Sequence, residues 1–546
     1  HPTTSSMAVQ SALLPASVGV DAEEKLRSRQ LRLVKLLYFL QGFSGSSFGR
    51  FATLFYIDRG LGAHQIGILE AVQPIATALG NQIFGALVDL MQCKKWVWLP
   101  SRVLTSALLL LLIVPAIGCC FETITIIMCA IAFFSFGGGV LDTYTLDLLG
   151  HARRGEYGQH RLWLAVAWGV GNAVMGLVAE RNFDWNFVTA GALNLLAIFL
   201  MTATLPRHTR DERRQIEKRT LRKQRAKAFE QWEEEGGRAR GRGCFGRLGC
   251  GACGACCALR TRTRTRTRAV GDGDSASWLE LRAALLRPRM LFFLLELTLI
   301  GVGMTLVERF LFVYVRGALE GSPSLCGFSV AVTVVIEIPL FAAGAQLLKR
   351  LGHDTMVLLA VLAYSIRVYG YTLLTPQTVW WLLALEVLHG ITFGLVWMAG
   401  VDMMKASMPA RWQTTGQLLL STATTSVGRI IGSLIGGTFI TRYGQKELYL
   451  LSAIVSGALF LLHAIGSCAL RLAGRRPLLS PITCEDEAQT SAERVVNDAP
   501  ALDTLAEPPD HPEAGAAFQQ AEQHEQQPAS QSAQSNPWTN SRGSGN

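Results

Sequence analysis

The chain has 546 residues, half of them hydrophobic and only 17% charged, with a mean hydropathy of +0.28. This balance excludes a soluble protein, because so much apolar surface could not be kept from water. A formal net charge of +10 resembles a nucleic-acid footprint, yet residues 206 to 288 alone hold about eleven more Lys and Arg than Asp and Glu, and residues 473 to 546 lean acidic by about seven. The basic charge belongs to one connector, so no nucleic-acid partner is expected.

Residues 1–30 are Ser-rich and then acidic at Asp21, Glu23 and Glu24, without the apolar run and cleavage site of a signal peptide. They are expected to form a disordered N-terminus. Apolar stretches long enough to cross a bilayer then begin near Leu31, His64, Trp96, Phe121, Arg161 and Asp184. After the connector a second set begins near Arg289, Leu325, Asp354, Thr378, Thr415 and Glu447. Lipid offers backbone groups no hydrogen-bond partner, so the expected fold class is an all-α membrane protein of twelve transmembrane helices in two six-helix halves, residues 31–205 and 289–472.

Short loops carrying Lys94 and Lys95, Arg153, Arg154 and Arg161, Lys349 and Arg350, and Lys405 and Arg411 alternate with loops poorer in positive charge. By the positive-inside rule both termini and the insert, residues 206–288, face the cytoplasm. Arg59, Arg181, Arg316, Arg442 and Lys446 on the other side weaken the contrast. The membrane itself, plasma membrane or organellar, is not encoded.

The insert holds a charged stretch from Arg207 to Glu235, a cysteine cluster at Cys244, Cys250, Cys253, Cys256 and Cys257, and alternating Arg-Thr from Arg260 to Arg268. Zinc would need a four-ligand geometry and a supporting shell that the Gly-Ala context does not supply. Palmitoylation beside basic residues and plain low complexity are the competing readings. No metal or cofactor is expected. Residues 473–546, rich in Gln, Glu, Ala, Ser and Pro, bury too little to offset ordering entropy and are expected to be a disordered cytoplasmic tail.

The two halves resemble each other. Pro74 and Pro339 sit in the second helix of each, followed by basic turns, and the fifth helices open with Gly158-Gln159 and Gly416-Gln417. Parallel repeats around a central site are one architecture of secondary transporters.

The stretch Gly85-Ala86-Leu87-Val88-Asp89-Leu90-Met91-Gln92-Cys93-Lys94-Lys95 resembles the loop between helices two and three of the major facilitator superfamily. Tyr157-Gly158-x-x-Arg161-Leu162-Trp163, Glu337-x-Pro339 and Glu386-x-x-His389-Gly390 are similar to the branch of nucleoside/proton-symporter-like and lactose-permease-like members. The resemblance implies alternating access, driven in many members by protons. It implies a cytoplasmic gate loop containing Gly85, Asp89, Lys94 and Lys95, in which Asp89 is held by Lys94, Lys95 or Arg154. Departures include Leu90 and Gln92, and Leu164-Ala165-Val166-Ala167 where a small Gly-Ser run is expected, which puts close packing of helix five in question.

Ionisable residues inside apolar spans are costly and face a cavity or a partner. They are Arg50, Glu70, Asp142, Asp147, Glu296, Glu308, Arg309, Glu337, Arg367, Glu386, His389, Asp402 and Arg429. Glu386 and His389, three apart, share a helix face, and with Arg367 and Glu337 they form a candidate proton-coupling network, with a static ion-pair network as the alternative. Asp142, Tyr144, Arg161, Trp163 and Arg429 are candidates for substrate or gate. Tyr38, Phe43, Phe48, Trp168, Tyr369 and Trp397 could line a cavity, although aromatics more often sit at lipid or interfaces.

No Walker loop, HExxH or Gly-x-Ser-x-Gly is present, so an enzyme is not expected and catalytic residues are not assigned. The expected activity is secondary transport of a small polar solute, such as a nucleoside, sugar or organic acid, with protons, by a functional monomer in the lipid bilayer. A transporter-like receptor or scaffold and a facilitative uniporter are the alternatives.

Overall fold

The computed structural model describes residues 16–91, 93–118, 120–240, 279–409 and 412–479. The cysteine cluster and the Arg-Thr run of the insert lie outside them, as does the tail after residue 479.

The first set of helices is α1 (Ala16–Phe48), α2 (Ala52–Asp58), α3 (Ala63–Met91), α4 (Lys94–Leu111), α5 (Phe121–Phe134), α6 (Gly137–Leu149), α7 (Tyr157–Arg181) and α8 (Asp184–Thr204), followed by the polar α9 (Arg210–Arg240). The second set is α10 (Pro288–Gly317), α11 (Pro323–Ala342), α12 (Gly344–Thr372), α13 (Leu382–Ser407), α14 (Gln413–Ser421), a π-helical stretch Thr422–Val427, α15 (Gly428–Tyr443) and α16 (Gln445–Leu472). Among the described residues nine helical stretches are long and apolar enough to cross a bilayer. The stretches containing α1, α3 and α4 are not among them: α4 opens on Lys94-Lys95 and carries Arg102, and α3 is interrupted by Gln73, Asn81 and Gln82. Pro74 and Pro339 lie inside α3 and α11, which lipid-buried helices tolerate when neighbours satisfy the freed carbonyls.

Residues 16–30, expected to be disordered, instead extend α1, and the Arg27 guanidinium donates to the Leu148 carbonyl at 2.8 Å and to that of Leu149, satisfying the end of α6. Residues 473–479 fold back in the same way, with the Leu479 amide donating to Asp354 at 3.2 Å. The N-terminus of α9 carries a capping box: the Thr209 amide donates to Glu212 at 2.8 Å while the Glu212 amide reaches the Thr209 hydroxyl at 3.3 Å.

Helix five packs tightly despite its larger residues, because the small partner is on α1. A Cβ on Gly42 would stand 2.9 Å from the Ala167 Cβ. The helices before α9 pack mainly among themselves, as do those after it. The principal pairs that join the two sets are α7 with α11, α3 with α15 and α2 with α10. Two glycine contacts allow this approach. Gly67 meets Gly437, where an added Cβ would lie 3.0 Å from the Gly437 Cα, and Gly176 meets Gly327 at 3.1 Å in the same sense. Phe51 against Phe312, with ring centroids 5.6 Å apart, and the Ser324 hydroxyl donating to Glu180 strengthen the seam at the end that carries the α2–α3 and α7–α8 turns.

Candidate functional site

Behind that closed seam lies a cavity of about 490 Å³ between the two sets of helices. Its charges come from short interruptions and adjacent positions in the helices. Arg50 sits in the break between α1 and α2. On α10, Glu308 and Arg309 are neighbours about 100° apart around the axis, so they address different helices of the other set. Glu308 stands 3.9 Å from Arg50, whose guanidinium also reaches the Glu308 carbonyl at 3.5 Å. Arg309 pairs with Glu70 of α3 at 2.9 Å, and Glu70 is only 1% exposed. Two ion pairs of opposite polarity therefore bridge the halves at the roof of the cavity.

Glu337, His389, Arg102 and Arg429 also line it, together with Trp168 and Phe48. The charged groups facing Glu337 are Arg50 and Glu308. A side cavity of about 80 Å³ opens against the π-helical stretch and shares Glu308, Phe393 and Arg429 with the main one. Phe393 and Trp397 stack there at 5.9 Å and 21°.

The expected network of Glu337, Arg367, Glu386 and His389 is divided. Glu386 and His389 do share a face, 3.9 Å apart and both buried. Glu386 accepts hydrogen bonds from the Tyr371 hydroxyl and from Thr333, the latter at 3.3 Å. Arg367 is completely buried over the rings of Tyr364 and Tyr371, 5.3 and 6.0 Å from their centroids, and two of its nitrogens have no hydrogen-bond partner among the described residues. Glu337 lines the cavity, whereas Arg367 lies against Tyr371, the residue that donates to Glu386. Glu337 and His389 thus meet the cavity, and Glu386 and Arg367 back it.

In the first half Asp142 accepts from Arg161 at 2.7 Å and from the Tyr38 hydroxyl at 2.7 Å, and Arg161 also donates to Tyr157 at 3.0 Å. This cluster does not line the cavity, and Arg161 is half exposed. Tyr144 does not join it: buried in the core of the first half, it donates to the Pro206 carbonyl at 3.1 Å. Trp163 is exposed away from the cavity, as is Tyr369.

Of the expected gate-loop residues, the two lysines have described partners. Lys94 is committed to Asp147, which also accepts from the Thr209 hydroxyl at 2.7 Å, and Lys95 donates to the Thr202 and Leu205 carbonyls at 3.0 and 2.8 Å. Gly85 is exposed, and the side chains of Asp89 and Arg154 lie outside the described residues. The second half has a polar cluster that reading along the chain does not single out. His463 lies between Glu296 at 2.7 Å and Asp354 at 2.9 Å, and Asp354 also accepts from Ser467 at 2.7 Å and Arg471 at 3.0 Å. Glu296, already among the ionisable residues of the spans, and a histidine inside an apolar span were the available signals.

Three comparisons bear on this arrangement. Sugar efflux transporter A of Dickeya chrysanthemi is 36% identical over 124 residues, 22% of this chain and 30% of that protein. Major facilitator superfamily domain-containing protein 6-like protein B of Xenopus laevis is 29% identical over 151 residues, 27% of this chain and 24% of that protein. The chain thus spans less than a third of the length of the curated relatives it matches. The crystal structure of the nucleoside transporter NupG superposes with a TM-score of 0.59 at 14% identity, covering 79% of this chain and 97% of that one, a likeness of fold. The profile of the MFS_1 like family matches residues 31–451, and the chain belongs to that family of major facilitator superfamily transporters, which are not enzymes.

Proposed function

We propose that this protein is a proton-coupled carrier of a small polar solute, built of twelve spans in two six-helix halves and working as a monomer. In this reading α1 with α2, α3 and α4 complete the nine apolar stretches. The termini and α9 face the cytoplasm, and the cavity opens toward them. The relatives support a small polar cargo by their names, sugar in one and nucleoside in another.

The observation that carries the proposal is a cavity between the halves holding Glu337 and His389 beneath two ion pairs that bridge those halves. A carrier must seal one end while the other is open. The pairs Arg50–Glu308 and Arg309–Glu70 join the halves at the sealed end and must part when it opens. Glu337 faces Arg50 and Glu308, so a proton on Glu337 changes the field around the same ion pair. His389 and Glu386 extend the titratable set behind it. Asp142 with Arg161 is placed nearer the open end, as a candidate for cargo entry or gating.

The test is reconstitution of the full chain in liposomes containing a pH-sensitive dye, with pooled nucleosides, sugars and organic acids outside. Solute-dependent proton movement is expected in wild type and should be lost in Glu337→Gln and reduced in Glu386→Gln. Solute flux that ignores both the proton gradient and these substitutions would defeat the coupling and leave a uniporter.

A further inference from the structure

We infer that the cargo is a small organic anion, its acid group held beside Arg429 and its planar or apolar body against Phe393 and Trp397. The inference rests on the carrier reading above and narrows its cargo. Four arginines line the main cavity, Arg50, Arg102, Arg309 and Arg429, against three glutamates, Glu70, Glu308 and Glu337. Arg309 is matched by Glu70 at 2.9 Å, and Arg50 more loosely by Glu308 at 3.9 Å. Among the described residues Arg429 makes no contact ion pair; it faces Arg309 and Arg50 as well as Glu308 and Glu70, so both nearby carboxylates are already engaged. Arg102 lies over the Trp98 ring at 5.5 Å, and its buried Nε has no hydrogen-bond partner among the described residues. The lining therefore carries one net positive charge with all three carboxylates ionised and two when Glu337 holds a proton.

In the open cavity, water can solvate the surplus. Alternating access passes through a state closed at both ends, where that water is largely expelled and an uncompensated guanidinium is expensive. A cargo that brings a negative charge removes this penalty, whereas a neutral one does not. Proton and anion then belong together, since protonating Glu337 deepens the positive field that attracts the anion. Arg429 borders both the main and the side cavity, so an acid group there sets whatever is attached to it beside the stacked Phe393 and Trp397.

The field is read first, without any cargo. Ser135 lines the cavity, and Gly155 is exposed with open space around it. Ser135→Cys and, as the reference, Gly155→Cys are reacted in the full-length protein with the anionic sulfonatoethyl and the cationic trimethylammonioethyl methanethiosulfonates, after subtracting labelling of the parent chain. The anionic reagent should be favoured at position 135 by about tenfold over the reference, and Arg429→Gln and Arg102→Gln should each cut that preference by about threefold while the protein stays monodisperse. Equal or reversed preference at 135 overturns the inference. In proteoliposomes, after subtracting the passive entry of the neutral acids into protein-free vesicles, benzoate and nicotinate should then move with protons, their amides should not, and Arg429→Gln should abolish the difference. Proton-linked uptake of uridine or glucose in place of the acids overturns the anionic cargo and leaves the carrier. The preference at 135 with no proton-linked movement of any of these solutes retains the cationic site but overturns the carrier reading, and the cargo inference falls with it.

Discussion

The bridge between Arg309 and Glu70 offers a quantitative test of the sealed end. Glu70 is 1% exposed and Arg309 14%, and their charged atoms are 2.9 Å apart. With charge centres about 4 Å apart and an effective dielectric near 20, their attraction is about 4 kcal/mol, much of it offset by desolvation. Removing one partner is different from removing both. Glu70→Gln leaves a buried cation without its anion, which typically costs about 3–5 kcal/mol, whereas Glu70→Gln with Arg309→Met removes the charge on both sides and should cost far less. The penalty falls on the sealed state, because opening that end hydrates Arg309. A shift of about 3 kcal/mol corresponds to roughly a hundredfold change in the conformational equilibrium. Ser433→Cys, fully buried in the α3–α15 seam, provides the readout. Its alkylation by a water-soluble maleimide should be at least tenfold faster in the Glu70→Gln background and return toward the parent rate in the double variant. Equal rates in all three backgrounds would show that the pair does not hold the seam.

Three other outcomes follow from the same geometry. Gly67→Val places side-chain atoms where Gly437 and the Ser433 carbonyl already lie, so the seam should fail to close: transport should be lost and the thiol introduced by Ser433→Cys exposed, while the protein still elutes as a folded monomer. Asp354→Asn weakens charge-assisted bonds to buried His463 and to Arg471, and should lower the melting temperature by several degrees, a cost of about 3 kcal/mol. Asp142→Asn breaks a pair whose Arg161 is 53% exposed, so it should change stability by at most about 1 kcal/mol while lowering solute flux; a melting-point loss as large as that of Asp354→Asn would make the pair structural.

The nine stretches long and apolar enough to cross were legible because lipid imposes them, as at α8, which begins at the expected Asp184, and α16, which begins two residues before the expected Glu447. By contrast, α1, α3 and α4 fall short of that pattern. Within one helix the spacing also sufficed, which is why Glu386 and His389 meet. Tyr144, two residues from Asp142 and so about 160° from it around the helix, turns into the core of the first half while Asp142 reaches Arg161. Pairing between helices was not legible. Lys94 meets Asp147, a partner 53 positions away that the fold of α6 and the start of α9 bring to it. The roof pairs join residues more than two hundred positions apart, and nothing in Arg50 or Glu70 alone names its partner.

The two roof pairs also differ in a way that assigns them different work. Arg309–Glu70 is short and its carboxylate is almost fully buried, whereas Arg50–Glu308 is 3.9 Å long with side chains 15% and 27% exposed, so it is the weaker and more solvated of the two. A charged cargo or a proton on Glu337 acts on Arg50 and Glu308 directly, because all three face the same cavity. The loose pair is therefore the one that cavity contents can part. Glu308→Gln should leave the melting temperature nearly unchanged, since a partly solvated pair is worth about 1 kcal/mol or less, yet it should alter apparent solute affinity several-fold because Arg50 and Arg429 lose a competing carboxylate. Glu70→Gln should instead lower the melting temperature and open the seal, any change in apparent affinity following the exposure of position 433 rather than the charge beside Arg50. Matching effects of the two substitutions on both quantities would mean that the pairs act as one bridge, and the separation between seal and sensor would be refuted.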